Sequence, residues 1–407
     1  MSIDVRRLRD DSEFDAYLQA AIYSFNSARD GSQLERYRQL YERDWCLGAF
    51  DGGDLVAGLT IIPFEQHMLG ARIPLGGIAT VASLPERRRG GAVGALLRAA
   101  LAEMRDAGQP LSGLYTPHFS LYRRFGWEIA GRMMSYAFGP KTMRTRLPRP
   151  DGSFRRVKPD DWGELAALHE AFTVPRNGAL MRTEKRWRNH VFTEYLRGEH
   201  DAVIWSNVAG EPRGYAVYTQ QHRQSGGPFG ETILRVIDWV ALDGEAYSAL
   251  LNYLMSHDLV SQIVLVVSED EPVLAAFDEP VHVKEPPGAW TGILLRLVDV
   301  QRAIECRPAR PEACGLAVTV AITDVAAPWN MGTWRIECDE GRMTADRTDT
   351  TPELEAHATA LAPIYNGFAN PADAVRVGQL VVNDAAAVER MGRMFAAPFR
   401  PFCPDDF

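Results

Sequence analysis

The sequence has few or none of the features that mark several large classes of protein. Its five cysteines are odd in number and contain no Cys-x-x-Cys pair, which disfavours a disulfide framework or a zinc site and fits a reducing cytoplasm. No apolar run approaches the length of a membrane span and the first residues do not resemble a signal peptide, so we expect no membrane partner. The net charge of −9 argues against a nucleic-acid partner. The 407 residues, otherwise of ordinary globular composition, predict two or three domains.

Two common phosphate-binding motifs are also absent. A Walker A loop would end in Gly-Lys-Ser/Thr, and the sequence has no such tripeptide. The dinucleotide pattern Gly-x-Gly-x-x-Gly does not fit either, because Gly90, Gly91 and Gly94 have a different spacing. A phosphate site must therefore be sought in another pattern.

The stretch from Arg87 to Gly91 is a basic, glycine-bearing turn between a predicted strand and a predicted helix. The strand is the apolar run 73–82, whose Gly76-Gly77 pair would let another group approach closely, and Pro85 ends it. The helix is expected to begin near Gly90, where apolar residues start to recur at helical spacing. Unpaired amides at a helix N-terminus, with arginines beside them, can hold a pyrophosphate. The alternative is a basic helix end whose glycines serve only packing.

The pattern Arg-x-x-Gly-x-Ala, formed by Arg87, Gly90 and Ala92, resembles the coenzyme A pyrophosphate loop of the GNAT superfamily of N-acetyltransferases. The order of the predicted elements in residues 1–144 is also similar to that of a GNAT domain. It runs from a strand and two helices through three strands, a helix, a strand and a short helix to a last strand at 132–138.

A second motif of the superfamily, Tyr-x-x-x-Gly followed by an aromatic residue, is matched by Tyr122, Gly126 and Trp127. The resemblance implies that Tyr122 is the general acid. A phenol with a reference pKa near 10 can protonate a departing thiolate and hydrogen-bond the thioester sulfur. The alternative is a tyrosine that only packs at the end of a helix.

The chain then repeats itself. The segment 154–172 echoes the opening segment 5–25, and a hairpin, a long strand and a helix recur after it. Residues 145–298 are therefore predicted to form a degenerate second copy of the domain. Its strand-to-helix turn is acidic, and Asp243 and Glu245 would repel a pyrophosphate.

Residues 299–407 are predicted to form a third domain of strands and short helices. Strands are expected at 317–324, 332–338 and 341–346, and helices at 351–361, 373–377 and 384–395. The sequence shows no catalytic triad and no metal-ligand spacing, so we expect no metal site.

Two GNAT-like domains followed by a strand-and-helix domain resemble, over the whole chain, the enhanced intracellular survival (Eis) family of bacterial N-acetyltransferases. The resemblance implies an α/β (α+β) fold, a third domain like a sterol carrier protein, a homo-hexamer, and acetyl-CoA as co-substrate. It implies transfer to amine groups of a cationic small molecule, aminoglycoside-like or polyamine-like. Two alternatives stay open: a protein or peptide N-acetyltransferase, and a lipid- or sterol-binding protein with a vestigial acetyltransferase site.

The same resemblance assigns the residues that contact acetyl-CoA. They are Val81, Ala82, Ser83, Arg88, Arg89, Gly90, Gly91, Ala92, Val93, Gly94, Pro117 and His118. A β-bulge near Val81 to Ser83 is expected to splay the strand from its neighbour, so that a backbone N–H can polarise the thioester carbonyl.

The resemblance also gives the last residue a role. In the Eis family the terminal carboxylate reaches the acetyltransferase cleft and acts as the base, and Phe407 matches the family's terminal phenylalanine. Three prolines and two aromatic residues precede Asp405, so the terminus is expected to be held rather than frayed. The alternatives are a hydrophobic end docked on the third domain, or Asp406 as the carboxylate in the cleft.

Overall fold

The computed structural model describes residues 3–27, 31–194, 198–224, 230–285 and 292–407. The chain divides into two compact units. The first consists of Met1–Ala130, Ile293–Ala397 and Asp406–Phe407, and the second of Gly131–Gly292 and Pro398–Asp405.

The described residues form strands and helices in the following chain order. The strands are β1 (Asp4–Arg7), β2 (Cys46–Asp51), β3 (Asp54–Met68), β4 (Ala71–Ser83), β5 (Leu111–Leu114), β6 (Glu128–Ile129), β7 (Met133–Phe138), β8 (Ser153–Val157), β9 (Thr193–Glu194), β10 (Gly198–Glu199), β11 (Asp201–Ser206), β12 (Pro212–Arg223), β13 (Glu231–Ala241), β14 (Gln262–Ser268), β15 (Leu294–Leu297), β16 (Ala317–Thr323), β17 (Gly332–Asp339), β18 (Arg342–Arg347), β19 (Leu354–His357) and β20 (Leu380–Val382). The helices are α1 (Asp11–Ser24), α2 (Gly31–Leu40), α3 (Ala92–Asp106), α4 (Phe119–Arg123), α5 (Trp162–Thr173), α6 (Glu184–Arg186), α7 (Gly244–Met255), α8 (Val300–Cys306), α9 (Ala358–Tyr365), α10 (Pro371–Arg376) and α11 (Ala385–Met394). Within the described ranges, no helix has both the length and the apolar character that crossing a membrane requires.

A seven-stranded sheet, in the order β1-β2-β3-β4-β5-β15-β6, forms the N-terminal part of the first unit. A hairpin joins β2 and β3: Asp51 pairs with Asp54, and Gly52 and Gly53 between them have positive φ angles. The helix α3 packs its apolar stripe on one face of the sheet, and α1 packs on the other.

The first sheet obtains one strand from far along the chain. The strand predicted at 132–138 as the last of the first domain is formed, as β7, but it pairs with β14 in the second sheet. In the first sheet β15 lies between β5 and β6. The four residues of β15 are all buried, as suits a central strand, and periodicity alone does not show which sheet a strand joins. The predicted domain limits at 144/145 and 298/299 stay predictions.

The second unit repeats this plan in a six-stranded sheet, in the order β7-β14-β13-β12-β11-β8, beside the two-stranded pair β10-β9. Here β13 has one residue more than β12 between paired positions, which forms a bulge at Ile237. The C-terminal segment 398–405 belongs to this unit, and Asp405 accepts hydrogen bonds from Arg182 (2.8 Å) and Arg186 (2.9 Å). This buried ion cluster holds the chain firmly up to Asp405, as the sequence predicted.

The first unit also contains a five-stranded sheet, in the order β18-β17-β16-β19-β20. The helix predicted at 351–361 is wrong in its first half, because residues 354–357 form β19 and the helix α9 starts only at Ala358. Leu354 and Ala356 point inward while their neighbours are exposed, and β19 pairs in parallel with β16. This long-range pairing overrides the local preference for helix.

Candidate active site

The site is built where β4 separates from β5. The two strands pair in parallel from Leu75 to Gly77 on β4, opposite 111–113, and the ladder ends there although β4 continues to Ser83. The end of β4 therefore leaves a gap on its β5 side. Backbone groups along such a gap can bind an extended ligand.

A β-bulge lies at this point of β4. Gly58 of β3 is opposite Ala82 and Thr60 is opposite Ala79, so β4 carries one extra residue within Thr80-Val81. The bulge was predicted near Val81 to Ser83 and begins one residue earlier. Its effect is the predicted one, because the strand splays from its neighbour just beyond the Gly77 pair.

Thr80 has a φ angle of 52°, a left-handed conformation that a β-branched residue rarely adopts. The Tyr17 hydroxyl donates to the Thr80 carbonyl oxygen (2.9 Å) and lies 2.8 Å from the Thr60 hydroxyl. The Tyr17 ring packs where a side chain at Gly58 would project. Tyr17 therefore holds the bulge in place. The sequence showed Tyr17 only as one position of the opening helix, and gave no signal of this contact.

The predicted pyrophosphate turn has the expected geometry. Arg89 and Gly91 have φ angles of 66° and 86°, and α3 begins at Ala92, close to the predicted start near Gly90. Along α3 the Ala95 N–H donates to the Gly91 carbonyl (3.0 Å), and no side chain caps the helix. The N–H groups of residues 92–94 therefore have no acceptor within the helix.

The side chains around this turn favour an anion. Arg88 and Arg89 are exposed, and the Nε of Arg88 donates to the Ser83 carbonyl (3.3 Å). A Cβ at Gly91 would meet nothing within 4 Å, whereas a Cβ at Gly94 would lie 3.2 Å from the Phe125 ring. A glycine is therefore needed at position 94 so that the Phe125 ring can pack closely, and Gly94 also contributes its backbone N–H to the turn.

The corresponding turn of the second unit has the opposite character. The Asp243 carboxylate accepts hydrogen bonds from the Ala246 N–H (2.8 Å) and from the Nε of Arg213 (2.8 Å). It thus caps α7 and occupies the amide that a phosphate would need. This supports the expectation that the second copy binds no pyrophosphate.

Tyr122 is on α4 and belongs to the same hydrophobic cluster as Ile78 of β4 and Ala92 of α3. Val81 and Val93 pack against that cluster. The structure therefore brings the splayed strand, the start of α3 and the tyrosine together. The Tyr122 side chain is 7% exposed, and burial raises its pKa to about 12. The phenol therefore keeps its proton at neutral pH, as a general acid requires.

The Gly126-Trp127 part of the motif serves the structure. Gly126 has a φ angle of 90°, and a Cβ there would overlap the guanidinium of Arg296 on β15. Arg296 is fully buried and donates from Nη2 to both carboxylate oxygens of Asp324, at 2.8 and 2.7 Å. The Trp127 ring meets Tyr122 edge-on at 6.3 Å between centroids. These contacts fix the turn that carries Tyr122.

Pro117 and His118 lie in the turn between β5 and α4, and both are exposed. The His118 N–H donates to the Thr116 hydroxyl at 2.8 Å. Pro117 and His118 thus follow β5, the strand on one side of the gap. The residues from 81 to 94 form the other side, at the end of β4, in the turn and at the start of α3.

Phe407 lies on the strand pair at the start of the gap. Its ring centroid is 4.9 Å from that of Phe64 on β3 and 5.4 Å from that of Tyr115, which directly follows β5. A Cβ at Gly77 would lie 2.8 Å from Cε2 of Phe407. On the other face of the sheet, the absence of a side chain at Gly76 leaves room for Met104 of α3. The prediction that the glycine pair admits close neighbours is confirmed.

Cys46 is buried and hydrogen-bonds with Thr60, and burial raises its thiol pKa to about 12, so it is no thiolate at neutral pH. Across the described residues, no group of three or more histidine, cysteine or acidic side chains could hold a metal ion.

Comparisons with known proteins agree with this architecture. Residues 4–130 and residues 178–297 each match an acetyltransferase (GNAT) domain family, and residues 300–404 match a sterol carrier protein domain family. An uncharacterized N-acetyltransferase of Streptomyces avermitilis is 26% identical over 100% of both chains. The N-acetyltransferase Eis of Mycobacterium tuberculosis is 23% identical over 86% of this chain and 85% of its own length.

Solved structures share the fold across the whole chain. A GCN5-related N-acetyltransferase from Anabaena variabilis has a TM-score of 0.87 at 21% identity, with 100% of each chain covered. Eis1 from Mycobacterium abscessus has a TM-score of 0.81 at 24% identity, with 99% of this chain and 100% of its own covered. With two GNAT domains, a sterol-carrier-like domain and relatives of this kind, the chain is an N-acetyltransferase and belongs to the Eis-like family of the GNAT superfamily.

Proposed function

We propose that this enzyme transfers the acetyl group of acetyl-CoA directly to an amine of a cationic small molecule, aminoglycoside-like or polyamine-like. One observation supports the proposal: a gap in a parallel strand pair, an uncapped helix start, a buried phenol and the end of the chain all belong to the first unit.

The cofactor fits the groups that are present. The open amides of residues 92–94 and the exposed Arg88 and Arg89 would hold the pyrophosphate. The gap beyond Gly77 would take the pantetheine, with Val81 to Ser83 along one side and Pro117-His118 following the other. GNAT acetyltransferases in general use acetyl-CoA, and these contacts give this chain the means to do so.

The transfer needs no covalent enzyme intermediate. A backbone N–H of the bulge, at Val81 or a neighbour, polarises the thioester carbonyl. The amine nitrogen forms the new bond to the carbonyl carbon, and the bond from carbon to sulfur breaks. Tyr122 gives its proton to the departing sulfur. Because the phenol pKa is about 12, the proton is present on Tyr122 throughout the neutral range.

The incoming ammonium must lose a proton before it attacks. The terminal carboxylate of Phe407 is our candidate for the acceptor. Its ring lies over Gly77, the residue where the strand pair opens, and a terminal carboxyl has a reference pKa of about 3.5. It is therefore ionised when the amine arrives. Asp406 is exposed and supplies a second negative charge beside it, which favours a cationic substrate.

The family resemblance implies the assembly, and the cysteine usage of the sequence favours the location. We keep a homo-hexamer and a cytoplasmic location as predictions. Light scattering at micromolar concentration tests the first, and a monomer would contradict it.

The substrate class is tested by thiol release from acetyl-CoA against a panel of aminoglycosides, polyamines and peptides at equal concentration. We expect turnover with the small polycations and at least about tenfold lower kcat/KM with peptides that carry a single free amine. Preferential turnover of peptides would favour the protein acetyltransferase alternative. Absence of thiol release with every amine would leave the vestigial-site alternative.

The pyrophosphate turn is tested by replacing Arg88 and Arg89 together with alanine. Each lost charge-assisted contact costs about 1.5–3 kcal/mol, so the KM for acetyl-CoA should rise by at least about tenfold. An Arg335→Ala/Arg376→Ala protein, in which two exposed arginines of the third domain are lost, is the matched control. Equal KM values for the two proteins would show that the turn does not bind the cofactor.

The role of Tyr122 is tested by Tyr122→Phe. We expect kcat to fall on the order of 10²-fold, while the KM for acetyl-CoA changes little, because the lost hydroxyl acts in the chemical step. Tyr365→Phe removes another buried hydroxyl, one that donates to the Ala303 carbonyl at 3.0 Å, and should retain kcat.

The pH dependence has a definite sign for this residue. An acid must be protonated to work, so its contribution is lost only as the pH rises through its folded pKa of about 12. We therefore expect Tyr122 to cause no decline of the wild-type rate up to pH ~10. Any decline that does occur in that range should also be present in Tyr122→Phe. If Tyr122→Phe is fully active, the general acid is another group.

The terminal carboxylate is tested by adding two glycines after Phe407. This moves the charge and leaves every side chain in place, so kcat should fall on the order of 10²-fold or more with acetyl-CoA binding retained. Asp406→Asn is the control and should keep most of the turnover. A fully active extended protein would exclude the Phe407 carboxylate as the base, and a loss confined to Asp406→Asn would transfer the role to Asp406.

A further inference from the structure

Two of the five cysteines lie side by side in the five-stranded sheet of the first unit. Cys314 shortly precedes β16, and Cys338 is near the end of β17, the strand that pairs with β16. Their Sγ atoms are 3.9 Å apart, and the Cys338 thiol donates a hydrogen bond to the Cys314 sulfur. The Cys314 thiol in turn donates to the Arg310 carbonyl oxygen (4.0 Å). Both cysteines are free thiols in the structure.

The backbone around the two thiols is held by hydrogen bonds. The Gly315 N–H donates to the Cys338 carbonyl (2.9 Å), and the Cys338 N–H donates to the Leu316 carbonyl (2.9 Å). The Cys314 N–H donates to the Pro311 carbonyl (3.2 Å). Gly315, between Cys314 and the β16 ladder, has a φ angle of 77°, which a glycine adopts without strain. Because the main chain is fixed on both sides, the distance between the sulfurs is set by rotation of the two side chains.

A disulfide between these cysteines requires only a small movement. The sulfurs of a disulfide are about 2.05 Å apart, so sulfurs at 3.9 Å must approach by roughly 2 Å. Cys314 is exposed, and exposed side chains change rotamer within picoseconds to nanoseconds. Cys338 is 2% exposed and packed in the sheet. Rotation of Cys314 can therefore close the pair without breaking the ladder between β16 and β17.

The difference in exposure gives the two thiols different roles. Cys314 is in contact with solvent, so it is the thiol that a dissolved oxidant reaches. Burial, together with the neighbouring Cys314, raises the thiol pKa of Cys338 to about 11. At neutral pH Cys338 therefore stays protonated and reacts poorly with an oxidant itself, but it lies next to any oxidised sulfur at Cys314. An exposed thiol beside a buried one is the arrangement of an attacking and a resolving cysteine.

We propose that Cys314 and Cys338 are a redox modification site, which forms a reversible disulfide when the protein meets a hydroperoxide. The Cys314 sulfur attacks one oxygen of hydrogen peroxide, the O–O bond breaks, and Cys314 becomes a sulfenic acid as one water is released. The Cys338 sulfur then attacks the Cys314 sulfur, the S–O bond breaks, and the hydroxyl leaves with the Cys338 proton as a second water. Two thiols and one peroxide thus give one disulfide and two waters. This chemistry rests on no step of acetyl transfer.

The buried thiol protects the exposed one. A sulfenic acid with no thiol beside it is oxidised further to a sulfinic acid, which ordinary thiols do not reduce. With Cys338 only 3.9 Å away, the sulfenic acid at Cys314 is consumed first, by a reaction within the same chain. The disulfide also joins the start of β16 to the end of β17 and closes the loop 314–338, which stabilises this sheet while the bond lasts.

Peptide mapping of the oxidised protein tests the pairing. The full chain would be reduced, freed of reductant, treated with hydrogen peroxide at equal concentration, and alkylated without reductant. We expect one disulfide within the chain, between Cys314 and Cys338, and we expect dithiothreitol to reverse it. A disulfide that includes Cys306, a disulfide between two copies as the main product, sulfinic acid alone at Cys314, or no oxidation of either thiol would overturn the proposal.

Variants separate the two roles. In Cys338→Ser the sulfenic acid at Cys314 has no partner, so its labelling by dimedone should be at least about tenfold greater than in the wild type. In Cys314→Ser we expect Cys338 to remain a thiol. Cys306→Ser removes another exposed thiol of the same unit and is the matched control, in which the disulfide should form as in the wild type.

Two results with these variants would contradict the assigned roles. Equal dimedone labelling of the wild type and of Cys338→Ser would show that Cys338 does not resolve the sulfenic acid. Oxidation of Cys338 in Cys314→Ser at the wild-type rate would show that Cys314 is not the thiol that the peroxide attacks. Thermal unfolding of each reduced variant separates a change in reactivity from a loss of fold, and the mapping of the wild-type chain stands independently of the variants.

Discussion

The site depends on how briefly β4 and β5 pair. Three residues on each strand form the parallel ladder and a bulge follows on β4, so the gap that we propose for the thioester exists because the pairing stops. The bulge requires Thr80 to adopt a left-handed conformation, which costs on the order of 1–3 kcal/mol. The hydrogen bond from Tyr17 offsets part of this cost. The strained residue lies three positions beyond Gly77, the last residue of β4 that pairs with β5, on the strand that borders the gap.

A comparison of the first and second sheets separates the contribution of the backbone to the site from that of the side chains. Both have a bulge in the long strand that precedes a helix, at Thr80-Val81 and at Ile237. In the first unit the helix that follows is uncapped, whereas in the second Asp243 caps it. The backbone plan is therefore common to both units, and the choice of side chains decides which of them can take an anion.

Sequence patterns predicted those parts of the site that lie within one short stretch of the chain. The arginine-glycine turn, the glycine pair on β4 and Tyr122 each lie within one short stretch, where spacing and residue type determine the conformation. The contacts that join distant segments could not be predicted in this way. Tyr17 of α1 reaches Thr80 of β4, and Arg296 requires Gly126 from far along the chain. The place of Phe407 came from a family resemblance, because nothing in its neighbouring residues indicates Gly77.

The position of β15 also constrains how the protein is made. The first sheet has β15 between β5 and β6, yet a ribosome synthesises β15 only after every strand of the second sheet. Until β15 is synthesised, the edges of β5 and β6 that pair with it stay unpaired. Strands with unpaired edges are prone to aggregate or to pair wrongly. A fragment cut at residue 144 would stay in that state, with β7 lacking its partner β14 as well. The predicted acetyltransferase domain, residues 1–144, is therefore not a self-sufficient folding unit. Its sheet is completed by β15, which lies at the end of the predicted second domain.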